Sequence, residues 1–201
     1  MSIVPKRLLT AEDYLAKERA AEFKSQFYHG EMFAMAGASK EHNRINANLV
    51  RTVGNALVGG ECETYSRDMR LKISPTGLYT YPDIVIVCGV AEFEDGTNDT
   101  LLNPRVVFEI LSDSTELFDR GRKFDHYQTL DSVKEYILVA QNRPRIERFV
   151  RQNSDWVLTK FEGLDSDFTL TSVNVRIPMK DIFRAVDFED GLGASEGSPK
   201  L

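Results

Sequence analysis

Tyr81-Pro82-Asp83-Ile84-Val85-Ile86-Val87-Cys88 and Val106-Val107-Phe108-Glu109-Ile110-Leu111 are the stretches whose reading decides the fold. Both are short, apolar and rich in β-branched residues, as strands buried on both faces are, and each is interrupted by one carboxylate. Moving an isolated carboxylate out of water costs several kcal/mol or more, so Asp83 and Glu109 must be paired with a cation, coordinate a metal or be held neutral. Pro82 lacks an N–H and suits the start of a strand or an edge, which puts Asp83 at the sheet rim, within reach of a ligand. Side chains alternate along a strand, so Asp83 shares a face with Val85 and Val87, and Glu109 with Val107 and Leu111. If these strands are neighbours, the two acids converge.

Working outward from Glu109, a polar turn (Ser112-Asp113-Ser114-Thr115) leads into a helix ending near Leu130, followed by an apolar strand from Glu135 to Ala140. Strand, helix, strand is the pattern of a right-handed βαβ crossover. Lys123 lies on that helix, with Asp119 and Tyr127 one turn to either side on the same face. A helix starting near Thr115 places Lys123 about 12 Å along it, while Glu109 lies about 7 Å back from Leu111 along its strand. The lysine side chain leans toward the helix N-terminus, which brings its ammonium to the level of Glu109. Gly121 is a poor interior residue, and a helix beginning near Asp119 instead puts Lys123 in the first turn.

Upstream, Thr10 to Lys24 reads as a helix with Thr10 as N-cap and Asp13 at N3. His29-Gly30 between apolar segments predicts a tight hairpin, and Ser39 caps a second helix with Ile45, Leu49, Val53, Ala56 and Leu57 along one face, stopped by Gly59-Gly60. Thr64 to Ile73 alternates as one half-buried strand, Pro75-Thr76-Gly77 turns the chain, and Glu92 to Asn103 reads as an acidic loop left in water. Strands follow around Ile146 to Val150, Trp156 to Phe161 and Phe168 to Ile177, with a short helix after Pro178. The expected fold class is α/β or α+β, with a mixed sheet preceded by a helix and a hairpin.

With 201 residues and 42% hydrophobic content, the chain suffices for one domain, expected over 1–186. Asp187, Glu189, Asp190 and Glu196 alternate with glycines, so 187–201 is expected to be a disordered tail. The first 30 residues hold no apolar signal segment, and the run Ile84 to Cys88 is far shorter than the roughly 20 residues of a membrane helix. A soluble cytoplasmic protein is expected, without membrane contact. Cys62 and Cys88 are too few and too far apart for a disulfide framework or a zinc ribbon, and read as two reduced thiols. A net charge of −6 argues against binding nucleic acid through the overall field and leaves local patches open. There is no Gly-x-Ser-x-Gly elbow, Walker loop or paired zinc spacing, and Gly191-Leu192-Gly193 in the tail is not a nucleotide fingerprint, so no organic cofactor is expected.

Several segments carry a resemblance: Pro82-Asp83, then Glu109-Ile110-Leu111-Ser112, then Asp119-Arg120-Gly121-Arg122-Lys123 with Tyr127, and the strand Val133-Lys134-Glu135-Tyr136-Ile137-Leu138-Val139. Lys24-Ser25-Gln26-Phe27, the segment Gly30 to Ser39, His42 and the arginines near Arg143 extend it. In this order they resemble the bacterial restriction-endonuclease-like family of the PD-(D/E)XK nuclease superfamily. The resemblance implies a restriction-endonuclease-like core, a mixed sheet flanked by helices, and phosphodiester hydrolysis in DNA with Mg²⁺ or Mn²⁺, acting as a homodimer. It implies that Asp83, Glu109 and the carbonyl of Ile110 hold the metal and that Lys123 is catalytic, with Gln26, His42 and Tyr127 as accessory candidates. Two departures stand out. Leu111 occupies the place of the superfamily lysine, for which Lys123 would be a migrated equivalent, and the neutral Gln26 stands where the family carries an acid.

Blander readings stay open beside these. Glu109 also reads as a structural ion-pair partner of Lys123 or Arg105, and His42 as a packing residue. Arg143, Arg145, Arg148 and Arg151 read equally as a solvated strand face or a phosphate-contacting stripe. The competing function is a non-catalytic module that binds nucleic acid or protein on a nuclease scaffold.

Overall fold

A computed structural model of the chain describes residues 8–113 and 115–188. Thr10 caps helix α1 (Ala11–Ala20) in a reciprocal box: its hydroxyl accepts the Asp13 N–H at 3.1 Å and the Asp13 carboxylate accepts the Thr10 N–H at 3.2 Å. The helix ends sooner than expected, because Lys24 belongs to the entry of a hairpin. Strands β1 (Ser25–Tyr28) and β2 (Glu31–Ala34) turn on His29 and Gly30, with φ of 49° and 80°, the double positive φ of a primed two-residue turn. Helix α2 (Lys40–Leu57) starts at Ser39, whose hydroxyl accepts the His42 N–H at 3.0 Å, and stops before Gly59 at φ 84°.

The run from Thr64 to Ile73 is two strands rather than one. β3 (Cys62–Ser66) and β4 (Arg70–Ile73) are separated by a turn closed by Met69 N–H on the Ser66 carbonyl, and they join different sheets. Alternation has the same period in either sheet, so the pattern could not reveal the break. β5 (Leu78–Thr80) and β6 (Ile84–Cys88) follow, then β7 (Thr100–Leu101). The last corrects the expectation of a wholly solvated acidic loop: Thr100 and Leu101 are fully buried beside β4. The buried Arg70 holds them there, donating to Thr100 Oγ1 at 2.9 Å and pairing with Asp99 at 2.8 Å.

Beyond β8 (Val106–Leu111), the crossover helix is broken at Gly121 into α3 (Glu116–Arg120) and α4 (Arg122–Gln128) before β9 (Glu135–Ala140). β10 (Arg145–Gln152) and β11 (Asp155–Glu162) extend the sheet. The stretch expected as one last strand is a hairpin, β12 (Asp167–Leu170) and β13 (Val175–Pro178), with Asn174 at φ 53° in its turn, and α5 (Met179–Ile182) follows. From residue 189 on, the expected tail lies outside the described residues.

The six-stranded central sheet has the order β11-β10-β9-β8-β6-β3, with β8 and β9 parallel and the other pairs antiparallel. A five-stranded sheet, β2-β1-β5-β4-β7, carries the hairpin. Ile45, Leu49, Val53 and Leu57 of α2 pack on Ile84, Ile86, Val106 and Phe108 on one face of the central sheet. On the other face, Val85, Val87, Val107 and Leu111 meet Phe124 and Tyr127 of α4 and Leu71, Ile73 and Leu78 of the second sheet. Both faces of β6 and β8 are therefore covered, the physical reason for their continuous apolar runs.

The cysteine reading is overturned. Cys62 and Cys88 sit directly opposite each other in the β3–β6 register, with Cα atoms 4.0 Å apart, and are joined as a disulfide. Pairing register brings together residues 26 apart in sequence, which spacing alone could not indicate. The argument from free thiols to a reducing compartment goes with it. Among the described residues no helix is long and apolar enough to cross a membrane.

Candidate functional site

The β6–β8 ladder pairs Ile84 with Phe108, so Asp83 and Glu109 occupy the next opposed positions, where the ladder has just ended. Pro82 is why it ends: with no N–H it has nothing to donate to Ile110 across the gap. The vacated Ile110 N–H is taken by Asp83 Oδ2 at 2.8 Å. Since N–H and C=O of one strand residue point to the same side, the Ile110 carbonyl also faces the Asp83 side.

Glu109 is 4% exposed and Lys123 3%. Lys123 is the second residue of α4, and its Nζ lies 2.7 Å from Glu109 Oε1 and 3.3 Å from Asp119 Oδ1. The Tyr127 hydroxyl donates to the same Glu109 oxygen at 2.8 Å, and Tyr136 fixes α3 by donating to the Asp119 carbonyl at 2.9 Å. Burial pushes the Glu109 carboxyl up to about 8; Lys123 opposes this only in part, and the charges of Asp119 and Asp83 add to the rise. Burial would pull Lys123 down, but Glu109 and Asp119 more than offset it, and the ammonium stays firmly protonated. Burial, with Glu109 beside it, lifts the Tyr127 phenol well above its ordinary value, so it remains a donor.

His42 contacts this centre: its Nε2 is 3.2 Å from Asp83 Oδ2, placed there by the first turn of α2. Asn46, one turn on, donates to the Asp83 carbonyl at 3.3 Å. Arg67 was not singled out in the sequence. Its Nε lies 3.6 Å from Asp83 Oδ1 while its Nη1 donates to Asn43 at 2.8 Å. It sits in the turn between β3 and β4, and no sequence signal ties that turn to Asp83.

Asp83, Glu109, Ile110, Lys123, His42 and Gln26 all line one cavity of about 700 Å³, between the β1–β2 hairpin with the segment after it and the α3–α4 break. Tyr127 lies behind this lining, acting on Glu109 from the core. Among the described residues no three His, Cys, Asp or Glu side chains are gathered around one point.

The arginines of β10 do not form a stripe for phosphates. Arg145 pairs with Glu147 at 2.5 Å, Arg148 donates to the Thr169 carbonyl at 2.6 Å, and Arg151 donates to the carbonyls of Gln128, Leu130 and Val133. Arg143 is exposed and lies outside the cavity lining. Glu135 is instructive beside Glu109. It too is an acid in a buried strand, fully enclosed, yet it meets the Ser172 N–H, Thr171 and Arg148 and does not line the carboxylate cavity.

Residues 11–178 match the profile of the Uma2 family, described as "Putative restriction endonuclease". An uncharacterized protein of Synechocystis sp., sll1609, is 32% identical over 176 residues, spanning 87% of this chain and 99% of the relative. A second Synechocystis protein, slr1290, is 30% identical over 181 residues, spanning 90% and 94%. A crystal structure described as a "putative nuclease belonging to DUF820", from Anabaena variabilis, superposes with a TM-score of 0.71 at 16% identity, covering 87% of this chain and 97% of that one, and shares the fold. Since the profile runs through every element that builds the carboxylate cavity, the protein belongs to the Uma2 family and carries its restriction-endonuclease-like fold.

Proposed function

We propose that the chain is a Mg²⁺- or Mn²⁺-dependent endonuclease hydrolysing phosphodiester bonds in DNA, built as one domain over 1–186 and working as a homodimer. The observation that carries this is the opposed pair Asp83 and Glu109 beyond the last β6–β8 rung, with Lys123 2.7 Å from Glu109, all on one cavity.

The donor chemistry fits a hard divalent ion. Asp83 takes its hydrogen bond from Ile110 through Oδ2 and Glu109 meets Tyr127 and Lys123 through Oε1; among the described residues Asp83 Oδ1 has only Arg67 Nε at 3.6 Å, beyond hydrogen-bond distance, and Glu109 Oε2 accepts no hydrogen bond. Those two oxygens and the Ile110 carbonyl would hold the ion, with water completing a shell that such ions fill with oxygen. Bound there, the ion would supply Lewis acidity toward a phosphoryl oxygen and an acidified water.

The chain's own groups do the rest. Ile110 N–H and His42 Nε2 fix the Asp83 carboxylate, and Tyr127 and Lys123 fix Glu109 through Oε1. Burial holds the Glu109 carboxyl well above the ordinary carboxylate range, and a divalent ion held beside it would favour its ionised form. Lys123, permanently charged, is a fixed cation against the negative charge that develops on a phosphate in the transition state.

Supercoiled plasmid and single-stranded DNA incubated with Mg²⁺, Mn²⁺ or EDTA provide the test. Metal-dependent cleavage, lowered about a hundredfold or more by Asp83→Ala and by Glu109→Ala, is expected. A wild-type protein that cuts neither DNA, or variants that cut as well as wild type, refutes the reading. One observation favours the second reading, a binding module without catalysis: the cavity wall carries neutral Gln26, and Arg67 already faces Asp83 Oδ1.

A further inference from the structure

The walls of the cavity differ in kind from its floor. Asp83, Glu109 and Lys123 on the floor are at most 8% exposed. Phe33 on β2, 50% exposed, and Phe118 on α3, 36% exposed, line the same space, and among the described residues neither belongs to a hydrophobic cluster. Arg122, the first residue of α4, is exposed, lines the cavity and makes no hydrogen bond or ion pair among the described residues. A cavity thus presents two open aromatic rings and an uncommitted guanidinium above a buried acidic floor.

Duplex DNA suits this space poorly. Its bases are stacked inside and its phosphates ride on the outside of a stiff rod, so a rigid duplex cannot lower a phosphate to carboxylates at the bottom of a cavity of about 700 Å³. The arginines of β10 offer nothing to a duplex either: Arg145, Arg148 and Arg151 are committed to partners within the protein, and the chain carries a net charge of −6. A space of that size does enclose a nucleotide or two, and an aromatic ring stacks on any base, because every base has a π-face.

We infer that the cavity takes an unpaired nucleotide, its base against Phe33 and Phe118 and its phosphate directed by Arg122 to the floor, which makes single-stranded or locally unpaired DNA the substrate class. The inference rests on the nuclease reading for the chemistry of the floor. Recognition by stacking is independent of sequence, and Arg122 adds a phosphate contact that weakens with salt.

The test uses binding, so that it is separate from cleavage. Fluorescence anisotropy with a labelled single-stranded oligothymidine and a labelled hairpin duplex of equal length is measured in EDTA on the full chain, alongside a 2-aminopurine oligonucleotide whose emission falls on stacking. The single strand is expected to bind at least about tenfold more tightly than the duplex, with 2-aminopurine quenched. Phe33→Ala should cost about tenfold for the single strand alone, Phe33→Trp should restore it, and Arg122→Gln should lower the salt slope by about one. Phe33 is exposed, so these variants should keep the wild-type circular dichroism. Duplex binding equal to or tighter than single-strand binding overturns the inference, as does single-strand binding untouched by Phe33→Ala and Phe118→Ala, or no binding of either DNA. None of these results bears on metal-dependent cleavage, which the plasmid assay decides by itself.

Discussion

Replacing Glu109 by glutamine separates a functional carboxylate from a structural ion pair. Burial of the group to 4% exposure, opposed in part by Lys123 and reinforced by Asp119 and Asp83, lifts its carboxyl from the ordinary 4.5 to about 8. In the unfolded chain the same group loses its proton near 4.5, so between those values the native state binds more protons than the unfolded state. Stability therefore falls as pH rises from about 4.5 to about 8 and is unaffected by this group below that window. The window is 8 − 4.5 = 3.5 units, which at ~1.4 kcal/mol per unit gives an upper bound of about 5 kcal/mol. Local relaxation reduces this to an expected penalty of about 2–4 kcal/mol at pH 8. Glutamine has the shape of the protonated acid, keeps an oxygen for Lys123 and Tyr127, and does not titrate. Urea unfolding followed by circular dichroism at pH 5, 6.5 and 8 should find Glu109→Gln within about 1 kcal/mol of wild type at pH 5 and more stable by about 2–4 kcal/mol at pH 8. A variant less stable by about 3–5 kcal/mol at every pH would mean that Glu109 is ionised and serves as the partner of Lys123, and the reasoning would be wrong.

Gln26→Glu adds a fourth carboxylate to the cavity lining, beside Asp83, Glu109 and Asp119, and should tighten Mn²⁺ binding about tenfold by titration calorimetry; unchanged affinity removes position 26 from the site. Reducing the Cys62–Cys88 bond, which closes a loop of 26 residues, should lower stability by about 3–4 kcal/mol in urea melts with and without a phosphine reductant. Equal midpoints would show that β3 is held by its ladder alone. Thr10→Ala removes the half of the α1 capping box that the hydroxyl supplies and should cost about 1 kcal/mol, since the Asp13 N–H loses its fixed partner while the N–H of residue 10 keeps the Asp13 carboxylate. No loss would place α1 outside the cooperative unit.

Local patterns were legible where the physical cause is local. Thr10 and Ser39 announced their helices because a hydroxyl at an N-cap satisfies a free N–H within three residues. His29-Gly30 announced its turn because only that backbone conformation joins two twisted strands so tightly. Gly121 marked the weak point of the crossover helix: the start expected near Thr115 is that of α3, whereas the alternative start near Asp119 falls inside α3, and α4 begins at Arg122 with Lys123 in its first turn. The division of Thr64 to Ile73 between two sheets, the burial of Thr100 and Leu101, and the hairpin at Asn174 escaped the sequence, because each depends on which distant strand lies alongside.

The anomaly of acids in apolar runs is set by sequence alone: a carboxylate flanked by valine, isoleucine and phenylalanine is enclosed with them, and must be answered by a cation, a ligand or a proton. Glu135, at the head of β9 after Lys134, is enclosed as fully as Glu109. Only the tertiary structure tells them apart. Glu135 meets the Ser172 N–H and Thr171 through Oε1, with Arg148 3.9 Å from Oε2, away from the lining of the carboxylate cavity, whereas Glu109 lines that cavity, opposite Asp83 at the end of a ladder that Pro82 cuts short. The same holds for Cys62 and Cys88, and for Arg67 beside Asp83. Side-chain type fixes what a buried group requires; the register between strands decides which group supplies it, because pairing across a sheet brings together residues whose separation along the chain carries no trace of their contact.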